Sequence, residues 1–171
     1  CKGGASSSMR WNDGLREAAR ESAVGNAVQA QSMEHKNLSD DGRMGLDRRR
    51  RAEKSAASKP MRQALMANVL SSFLNLKKRS GDGLYTEIFV MDNKGMLVGL
   101  SDITSDYWQG DEDKWQKTFM MGPGAIHIDD VVKDKSTQKY QSQLSLPVVD
   151  PVTRKVIGAV TLGIDIAKLR R

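Results

Sequence analysis

EIFVMDNKGMLVGLSD, residues 87–102, decides how the chain folds. Two short apolar runs, 88–91 and 96–100, flank Asp92-Asn93-Lys94-Gly95, which has the chemistry of a tight turn with Gly95 free to take a positive φ. The stretch therefore reads as a β-hairpin. Downstream, a strand is expected over 125–132. After a polar turn near 133–138, residues 139–149 alternate, with Tyr140, Ser142, Leu144, Leu146 and Val148 on one face. Asp150-Pro151 opens another turn, and 156–166 makes a last strand. Gly158 and Gly163 in that strand point to a bulge or to close approach of another backbone. A hairpin, a crossover and a three-stranded meander predict one five-stranded antiparallel sheet, with strands near 86–91, 96–101, 125–132, 139–149 and 156–166.

Upstream of the hairpin the chain reads as helical. A helix should begin at Asn12 or Asp13 and run through Leu15, Ala18, Ala19, Ala23, Val28 and Ala30. Residues 37–42 read as a break, followed by a short basic helix over 46–57. A stronger helix should start at Ser58, with Pro60 in its first turn and Met61, Leu65, Val69, Phe73 and Leu76 along one stripe. Gly81 or Gly83 stops it. The small, polar residues 1–10 mark a flexible lead-in. The expected organisation is this lead-in and one domain over 11–171, helical over 11–80 with its sheet over 85–169.

At 171 residues, 39% hydrophobic and 28% charged, the composition is that of a globular domain with a sizeable core. No apolar run reaches the roughly 20 residues that span a bilayer. The single cysteine excludes an internal disulfide. The net charge of +6 sits in the first half, where 1–80 holds twice as many basic as acidic residues. Arg48-Arg49-Arg50-Arg51 dominates that excess. Without interleaved aromatics or a nucleic-acid motif, it reads as a solvated helix face beside Asp47 and Glu53, and nucleic acid is not an expected partner.

Residues 102–119, DITSDYWQGDEDKWQKTF, gather three of the nine aromatics within nine positions: Tyr107, Trp108 and Trp115. Flat, rigid rings with polar tips suit either the wall of a binding site or a plug over a core. The acids Asp106, Asp111, Glu112 and Asp113 lack the spacing of a calcium loop, so no metal is expected there. Asp111 or Glu112 could serve as a helix-start acid favoured by the macrodipole, and a buried Asp pairing with a ligand amine is a better reading than a metal.

Taken in order, EIFVMDNKGMLVGLSD, TSDYWQGDEDKWQKTF, DDVVKDKSTQKYQSQLSLPVVD and VIGAVTLGIDI resemble the extracytoplasmic PAS-like sensors called Cache or PDC domains. The resemblance covers about 85–169, and the N-terminal helices fit the long helix that precedes the sheet in that family. It implies an α+β fold: a PAS-like five-stranded antiparallel sheet behind long helices, one face under the helices and the other under 102–119. It also implies a periplasmic or other extracytoplasmic domain that binds a small molecule and is not an enzyme. Ser101, Asp102, Tyr107, Trp108, Asp111, Trp115, Tyr140 and Ser142 are the candidate ligand-binding residues. At least two of the three aromatics, with Asp102 or Ser142 close by, are expected around one cavity. Amino-acid-binding members place an Arg in the covering segment, whereas residues 84–153 contain none. That departure leaves small carboxylates, amines and polar neutral molecules as ligand classes.

Catalysis finds little support. His35 and His127 are the only histidines, and neither stands in a Ser-His-Asp, Cys-His or zinc-binding order; no cofactor is expected. Cys1 before a Gly/Ser-rich lead resembles a processed bacterial lipoprotein, in which lipid on that Cys would tether the chain. A free thiol where the chain is cut is the alternative, as is a continuation beyond Arg171 into a transmembrane helix and signalling module. Any signal would leave through a partner protein. The competing function is an interaction module that sets the basic helical half on an anionic surface or partner.

Overall fold

The structure, a computed structural model, describes residues 16–17, 19–133 and 138–169. The lead-in, Cys1, the Asn12 or Asp13 cap and most of the turn near 133–138 lie outside the described residues. Five named helices and six strands follow one another: α1 (Ser22–Glu34), α2 (Asp40–Ala52), α3 (Pro60–Ala67), α4 (Val69–Ser80), β1 (Tyr85–Met91), β2 (Leu97–Leu100), α5 (Asp113–Phe119), β3 (His127–Ile128), β4 (Val132–Lys133), β5 (Tyr140–Val149) and β6 (Val156–Asp165). No helix among the described residues is long and apolar enough to cross a membrane.

All ladders are antiparallel, in the order β2-β1-β6-β5-β3, with β4 also on β5. This is the expected PAS-like α+β sheet, with one refinement. The strand expected over 125–132 is two short pieces on the same neighbour, and Asp129-Asp130-Val131 falls between them. Asp129 N still donates to Gln143 O of β5 at 2.9 Å, but its carbonyl receives Ser142 Oγ at 2.6 Å.

The pleat sorts the sheet into two faces. Ile88 and Val90, Val98, Leu144, Leu146 and Val148, and Val160, Leu162 and Ile164 pack with Val24 and Val28 of α1 and Leu70 and Leu74 of α4. Phe89, Met91, Leu97, Leu100 and Ala159 turn to the opposite face, where Leu65 of α3, Met66, Tyr107 and Trp115 meet them. Each fully buried aliphatic or Phe side chain adds about 1.5–3 kcal/mol. Both faces are thus held by apolar burial, but the helical half is divided between them: α1 and α4 back one, α3 the other.

That division comes from a break the apolar stripe conceals. Asn68 interrupts the helix expected from Ser58: its backbone is extended, and its Oδ1 accepts the Ser71 N–H at 2.7 Å, capping α4. The phase resets there. Leu70 and Leu74 face the core, while Val69 and Leu76 of the expected stripe are 84% and 64% exposed. The earlier break is also shorter than expected. Ser39 caps α2 by accepting from Gly42 N at 3.1 Å, so Asp40, Asp41 and Gly42 form its first turn. The N-cap of α3 is Lys59, not Ser58, and Pro60 occupies the first turn as expected.

The hairpin turn is closed from within. Asp92 Oδ1 accepts from Lys94 N at 2.8 Å and Met96 N at 3.0 Å, and Gly95 takes φ +75°. Asp92 Oδ2 accepts from Gln31 Nε2 at 2.9 Å and meets His35 Nδ1 at 3.3 Å, which seats α1 on the hairpin. At Gly158, an added Cβ would strike the Met91 carbonyl oxygen across the ladder.

Two outcomes follow. Asp92→Ala should cost about 3–5 kcal/mol, since four donors, one of them fully buried, lose a buried acceptor at once. Urea denaturation measures it; a loss under about 1 kcal/mol would show that the turn does not need the carboxylate. Gly158→Ala should cost about 1–3 kcal/mol through overpacking against backbone, and an unchanged denaturation midpoint would contradict the close approach.

Candidate functional site

The segment after β2 crosses the sheet face opposite α1. It is tied down at both ends by backbone and indole groups. Tyr107 O accepts from Leu97 N at 3.0 Å, and Trp108 bridges to Met96. The indole Nε1 of Trp108 donates to Lys94 O at 2.9 Å, and that of Trp115 donates to Asp92 O at 3.0 Å. Trp115 also stacks on Phe119, centroids 4.7 Å apart. Both tryptophans therefore staple the cover to the hairpin turn. Gly95 and Gly110 make the crossing possible, because a Cβ on Gly95 would lie 2.5 Å from Gly110 Cα.

The other half of the cover comes from α2. Asp47 Oδ1 accepts from Tyr107 N and Trp108 N, both at 3.0 Å, and its Oδ2 accepts from Arg51 Nε at 2.7 Å. Arg51 Nη1 reaches Asp106 at 3.2 Å, and the Arg43 guanidinium lies 3.8 Å from the Trp108 ring centroid. Glu53 receives Met61 N at 2.9 Å and Arg62 N at 3.0 Å, which satisfies the start of α3. Burial alone would raise the Glu53 carboxyl; those two donors, backed by Arg50 and Arg62, outweigh it and hold the group below its usual range.

The basic run is therefore not simply a solvated face. Arg50 is fully buried, Arg62 is 7% exposed, and Asp47 and Glu53 are each 8% exposed. The expectation of a solvated face placed Arg50, Asp47 and Glu53 at the surface and left Arg62 unremarked, yet a signal was present. Arg43, Asp47 and Arg50 stand at i, i+4 and i+7, one helical stripe of mixed sign. Only the remainder of the run, Arg48, Arg49 and half-exposed Arg51, meets solvent.

Tyr107 is where these parts converge. It packs with Leu65, Phe89, Met91 and Leu97, and the Arg50 guanidinium lies 5.3 Å from its ring centroid. On another side it borders a groove of ≈ 290 Å³ lined with Met61, Ala64, Leu65 and Asn68. Burial, reinforced by Asp92 and opposed by Arg50, pushes its phenol up to about 12.

The remaining candidates are scattered. Ser101 and Asp102 sit at the far end of β2, four residues or roughly 13 Å from Leu97. There Ser101 Oγ donates to Asp102 Oδ2 at 2.6 Å while accepting from Ile88 N, and Lys78 Nζ grips Asp102 at 2.6 Å. Asp111 is exposed. Tyr140, 59% exposed, pairs with Lys133 at the sheet's edge. Ser142 shares the pleat of Leu144 and Leu146, the face under α1 and α4, so it does not look onto the cover. Among the described residues, strand alternation and the length of β2 separate Asp102 and Ser142 from the aromatics. Neither histidine is near the groove's lining: His35 meets Asp92, and His127 Nε2 lies 2.9 Å from Asp129 on the strand edge.

No family model and no curated protein matches the chain. Several solved structures do. The chain is similar to the sensory domain of the Campylobacter jejuni chemoreceptor Tlp3, at 16% identity and a TM-score of 0.46, over 96% of this chain and 65% of that one. It is similar to the sensor domain of the V. cholerae histidine kinase DctB, at 9% identity and 0.43, over 59% and 38%. It is also similar to the ligand-binding domain of the Pseudomonas aeruginosa amino acid chemoreceptor PctC, solved with GABA, at 13% identity and 0.41, over 84% and 57%. The chain spans less than two thirds of the length of each.

Tyr107 supplies a pH test. Its phenol stays neutral in the folded chain where an unfolded one, with an ordinary value of 10.0, has already ionised. Its contribution is therefore complete below pH 10 and is lost as pH rises to about 12, a loss of roughly 2–3 kcal/mol at most. Tyr107→Phe should flatten that alkaline decline in urea midpoints. A variant that declines as steeply as the wild type would show that Tyr107 is not the group responsible.

Proposed function

We propose that this chain is an extracytoplasmic, non-catalytic sensor domain of a bacterial signalling or lipoprotein system, and that it binds a small molecule beneath the cover formed by 102–119, α2 and α3. The observation that carries the reading is the convergence on Tyr107. An apolar groove, a polar cluster of mixed charge and the stapled cover all meet at this one aromatic side chain. An apolar cleft with a few convergent polar groups is the common form of a small-molecule site. Within this reading Tyr107 is a wall of the site, and Trp108 and Trp115 fix the cover that holds it. The sensing unit takes in the helical arm of 11–80 and the sheet of 85–169, and its signal passes to a partner protein. The rival reading, a basic module on an anionic surface, is weakened because Arg50 and Arg62 are buried and Arg51 is engaged by Asp47 and Asp106.

A thermal-shift screen across carboxylates, amines and neutral polar compounds tests the proposal. A compound that binds only the folded chain raises Tm by mass action, equivalent to about 2.7 kcal/mol at a hundredfold excess over Kd. The shift should vanish in Tyr107→Ala and persist in Tyr140→Ala, whose side chain is exposed far from the cover. Silence from every class, or a shift indifferent to Tyr107, would sink the assignment.

A further inference from the structure

Arg50 is the largest fully buried side chain among the described residues, and it carries a charge. None of its Nε, Nη1 and Nη2 meets a hydrogen-bond acceptor among the described residues. Arg62 stands beside it, spending Nε on the Arg50 carbonyl at 3.4 Å and leaving Nη2 without an acceptor. Two guanidinium groups brought together out of water repel each other, and buried donors almost always find acceptors. Burial first, and then Arg62, lowers the Arg50 pKa from its ordinary value.

The neighbouring acids do not answer this need. Asp47 gives both oxygens to Tyr107 N, Trp108 N and Arg51 Nε. Glu53 gives both to the start of α3. Asp92 holds the hairpin, Gln31 and His35, and Asp106 pairs with Arg51. A carboxylate brought in from outside would match a guanidinium fork with two parallel N–H···O bonds. Among the described residues the Arg50 guanidinium lies over the Tyr107 ring, and that ring also borders the apolar groove between α3 and the cover.

We propose that Arg50, with Arg62 beside it, anchors the carboxylate of a small aliphatic acid whose apolar part lies in the groove lined by Met61, Ala64 and Leu65. The proposal rests on the sensor reading for the location of the ligand and adds its chemical class. It also supplies, from α2, the Arg missing from the covering segment. An α-amino acid fits less well, because its ammonium would need an acceptor and Asp47, Glu53, Asp92 and Asp106 are committed, while Glu34, whose charge also reaches Tyr107, is exposed to solvent. Asn68 offers none either: its Oδ1 accepts from Ser71 N, and its Nδ2 donates to Val98 O. Tyr107 touches both subsites, so its ring shifts when the acid enters.

The test uses short straight and branched monocarboxylates, acetate to valerate, as sodium salts against matched sodium chloride. Butylamine, 2-aminobutyrate, the neutral 1-butanol and inorganic phosphate serve as comparators. Wild type should gain Tm with at least one monocarboxylate and less with any comparator. Arg50→Met should melt no lower than wild type, since it removes a buried charge with no acceptor, and should bind that acid at least tenfold more weakly by calorimetry. Equal binding by wild type and Arg50→Met would overturn the anchor. A response to amines, neutral compounds or phosphate but to no monocarboxylate would overturn the ligand class and leave the sensor reading standing, whereas silence from all of them would remove both. Should Arg50→Met fail to fold, the Arg50 Nε–Hε resonance of the wild type decides: it moves on titration with the acid, or the anchor is wrong.

Discussion

A single buried carboxylate, Asp92, joins the two layers of this fold. Its side chain closes the turn between β1 and β2 and holds Gln31 and His35 of α1, while its backbone carbonyl receives the indole of Trp115 from the other face. Four donors around one carboxylate offset the cost of taking that charge out of water. Helix, hairpin and cover are therefore set by one residue rather than by three independent contacts. The next residues of the turn extend the arrangement: Lys94 receives Trp108 on its carbonyl and sends its ammonium to Leu38 O. Apolar burial makes both faces of the sheet stable, but the polar turn fixes what lies over each.

The cover shows how a charged helix can be turned inward. Asp47 and Glu53 are tolerated because backbone N–H groups, which need acceptors in any case, point at them. Arg43 is placed on an indole face, and Arg51 on two carboxylates. Arg50 and Arg62 break the pattern, since part of their donor set meets nothing. A cluster satisfied on its acidic side and unsatisfied on its basic side has a direction: it favours an anion.

Much of the fold was legible because period-two alternation leaves few choices. Leu144, Leu146 and Val148 opposite Leu162 and Val160 could not face water without exposing the whole set. The Asp-Asn-Lys-Gly turn fixed the hairpin's register in the same way. Helix phase was harder to read, since Asn68 works as a cap only once the chain bends there, and a stripe from Met61 to Leu76 runs through it without a flaw. The candidate site was legible where aromatics marked it: Tyr107, Trp108 and Trp115 do come together over the sheet. Asp102 and Ser142 were misplaced because chain proximity and a shared strand do not settle which pleat faces the cover. Arg50 was hidden because charge is normally read as exposure, and the one local sign that sets it apart from Arg49, the stripe it shares with Arg43 and Asp47, is itself charged. Its burial is decided by Tyr107, far along the sequence.

The two helical attachments differ in kind, and this bears on where the molecule can respond. α1 and α4 are pressed on the sheet by continuous apolar surface, so moving them would uncover Val24, Val28, Leu70 and Leu74. α2 is fastened chiefly by side-chain polar contacts to the cover, with Asp47 on two peptide N–H groups and Arg43 on one ring. Polar contacts of this sort open at lower cost than a packed core, so the α2 side is the softer part of the domain. Tyr107 sits at that junction. Its N–H is held by α2 and its carbonyl by Leu97, beside the turn on which α1 is seated. A ligand that moved Tyr107 would thus act on one residue with a yielding partner on its N–H and a rigid one on its carbonyl. Its work is done first on the α2 arm, and it reaches α1 only through the hairpin.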